Sequence, residues 1–160
     1  MRFLSWASLA AVLCSCGPDP KPASSTPAGT AEPAAVPRVA DESRRLPKPN
    51  LVASEVIDKN ILGKTFLPGG TIGKYKKGKV EYQLFVAKSP SPTGAAIALS
   101  DFRGSLDHPK LIPSFGGYFG EDNGRPAFVF TKGSWIAGVV GLPEKEADAV
   151  ARVLAAGLTP

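Results

Sequence analysis

The chain has 160 residues, with 19 Lys and Arg against 14 Asp and Glu and a formal net charge of +5. From Leu51 to Pro160 the balance is only 13 cationic to 10 anionic residues, so a basic pI does not by itself identify an acidic partner. That stretch is long enough for one modest core and carries no internal repeat.

The N-terminus reads as an address. Arg2 supplies a positive start, Phe3 to Leu13 a short apolar run, and Ser15 a small residue before Cys16, the order of an export signal. A transmembrane helix is one alternative, but it needs roughly 20 apolar residues, and Gly17 and Pro18 end this run at about half that length. A plain secretory signal is another, leaving Cys14 and Cys16 to pair or bind metal. Their one-residue spacing suits neither a relaxed disulfide nor the usual metal knuckle, and no His lies nearby.

Leu13, Cys14, Ser15 and Cys16 resemble a bacterial lipobox. The resemblance implies a signal peptide over residues 1–15, cleavage before Cys16, and thioether attachment of a diacylglycerol to that cysteine with palmitate-type acylation. Leu13 is too bulky to precede the cut, which disfavours Cys14 as acceptor. The membrane is then a partner through covalent lipid. Gly17 stands where proteobacterial lipoproteins retained in the inner membrane carry Asp, which points to the outer membrane and a periplasm-facing domain. Both thiols would leave the domain's redox chemistry, so its core must suffice without a disulfide. Nucleic acid is not an expected partner of an exported protein, and no cofactor is expected.

Residues 16–50 read as a tether. Pro18, Pro20, Pro22, Pro27, Pro33, Pro37, Pro47 and Pro49 are too closely spaced for helix or ladder, and the composition cannot bury enough apolar surface to fold. Fully extended, such a segment spans roughly 100 Å at about 3.1 Å per residue. Arg44 and Arg45 beside Asp41 and Glu42 make a poor polybasic anchor.

Residues 51–160 read as a single α+β domain. Leu51 to Phe66 gives no clear element, although Ser54 before Glu55 could cap a short helix using Val56, Ile57 and Ile61. Strands are expected at Thr71 to Lys76 and Lys79 to Lys88, with Lys77 and Gly78 turning between them. Ser91 then caps a helix with Pro92 at its first position and Ala95, Ala98, Leu99 and Phe102 as its stripe, ending at Gly104. Phe115 to Glu121, Ala127 to Thr131 and Ser134 to Val140 read as a meander turning at Asp122, Asn123, Gly124 and at Lys132, Gly133. A last helix starts at Pro143, carries Glu144 and Glu146 in its first turn, buries Ala147, Val150, Ala151 and Leu154, and stops at Gly157. The expected order is β-β-α-β-β-β-α, an antiparallel sheet with both helices packed on one face. The order, and the run Phe128 to Gly138 with its lysine-glycine turn before an aromatic strand, resemble an exported bacterial domain family of unknown function over about Leu67 to Leu158. That family implies no catalytic residues.

Candidate chemistry is sparse. His108 is the only histidine; with Asp107 or Ser105 it could form part of a hydrolase, but no glycine-flanked nucleophile elbow accompanies it. The plain alternative is a solvated loop histidine. Asp101, Asp107, Glu121 and Asp122 sit near polar turns, where nothing raises a carboxyl pKa, and lack the acidic spacing of a calcium loop. The glycine run from Phe115 to Gly120 has no following Lys and Ser or Thr and opens no helix, so it is not a phosphate loop. No metal site is expected. Lys74, Lys76, Lys77 and Lys79 gather around one hairpin tip, either as a solvated edge or as a contact for an acidic surface. Tyr118, Phe119 and Trp135 could form an aromatic interaction patch, with core as the competing reading for Trp135. The expectation is a membrane-anchored, non-enzymatic envelope lipoprotein that binds an envelope protein or component.

Overall fold

The computed structural model describes residues 39–159. The expected signal peptide, Cys16 and the expected tether up to residue 38 lie outside the described residues. Nearly continuous apolar runs in the middle of the chain explain the architecture. Leu84-Phe85-Val86-Ala87, Ala127-Phe128-Val129-Phe130 and the whole segment Trp135–Val140 are buried, and a strand apolar at every position must be covered on both faces.

Seven strands are described: β1 (Leu51–Lys59), β2 (Pro68–Lys77), β3 (Val80–Lys88), β4 (Asp107–Ile112), β5 (Gly117–Asp122), β6 (Arg125–Lys132) and β7 (Trp135–Val140). Helix α1 (Pro92–Gly104) follows β3, and α2 (Glu144–Ala156) follows β7. The strands form one antiparallel sheet in the order β1-β2-β3-β7-β6-β5-β4. The α+β class and the antiparallel sheet are therefore as expected.

The helices do not share a face. Leu84, Val86, Phe128, Phe130, Trp135, Ala137 and Val139 pack with Ala147, Ala151 and Leu154 of α2. Their neighbours Phe85, Ala87, Val129 and Ile136 point the other way and pack with Ala98, Leu99 and Phe102 of α1. This corrects the expectation of two helices on one face. Each helix has only one apolar stripe, but the central strands have two apolar faces to cover, and the fold matches one helix to each.

Two strands were missed. β1 lies where a short helix seemed open to Ser54, Val56 and Ile57, and β4 lies where a loop was expected around His108. Both are edge strands and almost wholly exposed, so neither shows an apolar alternation. What makes them strands is the backbone edge offered by β2 and β5. The observed order is thus β-β-β-α-β-β-β-β-α.

Local chemistry decided the other elements. Ser91 Oγ accepts from the Gly94 amide at 3.0 Å, with Pro92 behind it. Asn123 and Gly124 have φ of 52° and 72°, the paired positive values of a two-residue hairpin turn. In the β2–β3 hairpin the turn residues are Gly78 and Lys79, one position later than expected.

The packed unit also begins before Leu51. Glu42 donates its amide to Thr71 Oγ1 at 3.0 Å, Leu46 is buried in the α2-side core, and the Tyr75 hydroxyl donates to the Pro47 carbonyl at 2.8 Å. Part of the segment expected as spacer therefore belongs to the domain. One leucine among prolines and charges carries no periodicity, so this docking was not readable in the sequence. No helix among the described residues is long and apolar enough to cross a membrane.

Candidate functional site

Strand alternation sorts the lysine cluster. Tyr75 points to the α2 face, where it stacks on Tyr82 with ring centroids 5.1 Å apart. Lys74 and Lys76, on either side of it, therefore project from the α1 face. There Lys76 meets Glu81 directly across the ladder at 2.9 Å, and Lys74 meets Glu55 of β1 at 3.2 Å. The hydrogen bond from Lys76 holds the Glu81 carboxyl below its ordinary pKa, and the lysine charge adds to this. Lys77 lies on the α2 face opposite Val80, and Lys79 occupies the exposed turn. The four lysines thus do not form one patch.

Helix α1 covers the part of its face nearest Phe85, Ala87 and Ile136. Beyond that, toward the hairpin tip, the sheet surface is open. Lys74, Lys76, Glu81, Gln83 and Arg125 line a cleft of about 510 Å³ there, with Val52 at its rim. Val52 is the extra residue of a bulge in β1 and is 67% exposed. Arg125 is brought in through β7, whose Val140 pairs with Gln83 of β3 on one side and with Ala127 of β6 on the other. Among the described residues Arg125 makes no ion pair, whereas both lysines do. Arg125, Gln83 and Glu55 were not legible in the sequence, because they become neighbours only once β1, β2 and β3 pair and β7 joins β3 to β6.

No match was found for this chain among protein-family models, curated proteins or solved structures.

The aromatic patch is not formed. Trp135 is 2% exposed, within the α2-side core. Its indole N–H donates to the Thr159 carbonyl at 2.7 Å, and Arg45 and Lys88 lie 4.5 and 5.3 Å from its ring centre. Phe119 packs toward the same core, but Tyr118 turns to the α1 side, where Arg103 covers its ring at 5.6 Å. Adjacent residues of one strand cannot share a face.

His108 is exposed on edge strand β4, at a register shift, with φ of 51°. Histidine is among the few residues that tolerate this left-handed region, so its position is accounted for by the bulge. The Ser105 hydroxyl donates to the Phe102 carbonyl at 2.9 Å, closing the end of α1. No hydrogen bond among the described residues joins His108 to Asp107 or Ser105. Of the other expected carboxylates, Asp122 is buried and pairs with Lys64 at 2.6 Å, while Asp101, Asp107 and Glu121 are exposed.

Proposed function

We propose that this protein is a lipid-anchored component of the bacterial cell envelope whose domain is a non-enzymatic binding module for an acidic surface. The carrying observation is the open cleft on the α1 face, where Lys74, Lys76 and Arg125 stand against Glu55 and Glu81. Each carboxylate is already held by a lysine, which leaves the Arg125 guanidinium available. A guanidinium binds carboxylate or phosphate through two parallel hydrogen bonds, and so supplies orientation as well as charge. The anchor is Cys16, on the strength of its lipobox-like context, with Gly17 favouring the outer membrane. A Pro-rich tether would let the domain search for a partner at some distance from the bilayer.

Two measurements test this reading separately. Cys16→Ser should move the protein from the membrane to the soluble fraction and abolish lipid labelling; unchanged fractionation would sink the anchor. For binding, a photo-cross-linker at Gln83 in intact envelopes should capture a discrete partner, and Arg125→Glu should abolish that capture. Equal capture from a cross-linker at exposed Asp101, or capture indifferent to Arg125→Glu, would sink the cleft.

A further inference from the structure

A second, smaller cavity lies on the opposite face, where the β2–β3 hairpin meets α2. Its volume is about 230 Å³, below the roughly 300 Å³ at which drug-sized sites begin. Val80, Leu142 and Val150 give it apolar walls, and Tyr82 reaches it from β3. Val80, on the hairpin tip, is 46% exposed. Burial makes Tyr82 keep its proton more firmly than an ordinary phenol; a hydrogen bond with the Asn50 side chain, which also lines the cavity, works against this, and the Glu146 charge adds to it.

The two charges of this cavity are Lys77, from the end of β2, and Glu146, from the first turn of α2. They have opposite signs and line the same small space, yet neither is in an ion pair among the described residues. Each comes from a different element, and the apolar walls lie with them in the same pocket. A ligand that spans the space can therefore satisfy both without breaking an existing bond.

We infer that this cavity binds a small zwitterion, a free α-amino acid with an apolar side chain. Its carboxylate meets Lys77, its ammonium meets Glu146, and its side chain lies against Val80, Leu142 and Val150. This site is on the α2 face and is independent of the cleft at Arg125.

The test uses the full-length chain in detergent, titrated with L-leucine and followed by NMR. Leucine should bind saturably at millimolar concentration or below. Leucinamide lacks the carboxylate and N-acetyl-leucine lacks the ammonium, so each should bind about tenfold more weakly. Lys77→Met should weaken leucine by a similar factor without further weakening leucinamide. Glu146→Gln should do the same with respect to N-acetyl-leucine. Both side chains are exposed, so folding is not at stake. Val80→Trp, which fills the cavity, should abolish binding. Absence of saturable leucine binding, or binding indifferent to all three substitutions, overturns the inference.

Discussion

Trp135 and Thr159 are joined by a 2.7 Å hydrogen bond from the indole N–H to the backbone carbonyl, which fastens the segment after α2 to the start of β7. Arg45 lies over the same ring at 4.5 Å and donates to the Gly157 carbonyl at 3.3 Å and to Thr159 Oγ1 at 3.2 Å. One side chain thus ties the segment before β1 to the segment after α2. Trp135→Phe keeps most of the apolar contact but loses the hydrogen bond, and should cost about 1–2 kcal/mol. Trp135→Ala should cost about 3–5 kcal/mol. Urea unfolding measures both, and a Phe variant as stable as the parent would show that the bond contributes nothing.

Gly138 is required by close approach. A Cβ there would lie 2.4 Å from the Phe128 carbonyl oxygen and 2.6 Å from the Phe85 ring, which stacks on Phe102 with centroids 6.0 Å apart. Gly138→Ala should destabilise by about 3 kcal/mol or more, because backbone and a packed ring must both move. Gly104 is the contrasting case, at the end of α1 with nothing within 4 Å of a built Cβ. Gly104→Ala should stabilise by about 0.5–1 kcal/mol. Thermal unfolding of the pair should shift in opposite directions.

The Lys64–Asp122 pair, which ties the β1–β2 connection to the end of β5, is the best shielded ion pair among the described residues, at 2.6 Å with side chains 15% and 10% exposed. Lys64 also lies 5.7 Å from the Phe102 ring centre, and Asn123 donates to the same carboxylate oxygen at 3.1 Å. Removing one partner strands a desolvated charge, so Asp122→Ala should cost about 2–3 kcal/mol. The double variant Lys64→Met, Asp122→Leu should recover most of that loss. If it is no more stable than Asp122→Ala, the cost lies in packing and not in the unpaired charge.

Tyr75 links the domain's stability to alkaline pH. Burial raises its pKa well above the ordinary phenol value, and the neighbouring Tyr82 adds to the shift. An unfolded chain loses this proton near pH ~10 while the native state keeps it. The contribution is therefore fully present below about pH 10 and is lost as pH rises toward the folded-state value. Tyr75→Phe gives up the hydrogen bond to Pro47, about 1 kcal/mol at neutral pH, but should lose less stability than the parent between about pH 9 and pH 11. Parallel slopes for the two proteins would exclude Tyr75 as the titrating group.

Residue chemistry acting within a few positions made several features legible in the sequence. The Ser91-Pro92 start of α1, the Asn123-Gly124 turn and the apolar stripe of α2 depend on local dihedrals and periodicity, and each occupies its expected place. Strand alternation also overturns the expected patch of Tyr118, Phe119 and Trp135, since it sends Tyr118 and Phe119 to opposite faces. The resemblance of Leu13 to Cys16 to a lipobox is also a sequence feature, and it alone carries the proposed anchor. Tertiary structure decided the rest. β1 and β4 are strands because neighbouring backbones offer them hydrogen bonds, and their own exposed side chains give no such signal. The two helices lie on opposite faces because the central strands are apolar on both. Arg125 shares a cleft with Lys74 and Lys76, and Lys77 shares a cavity with Glu146, only because distant segments are brought together in the sheet and against α2. Local rules set each element, but a site made from several elements exists only once their pairing is fixed.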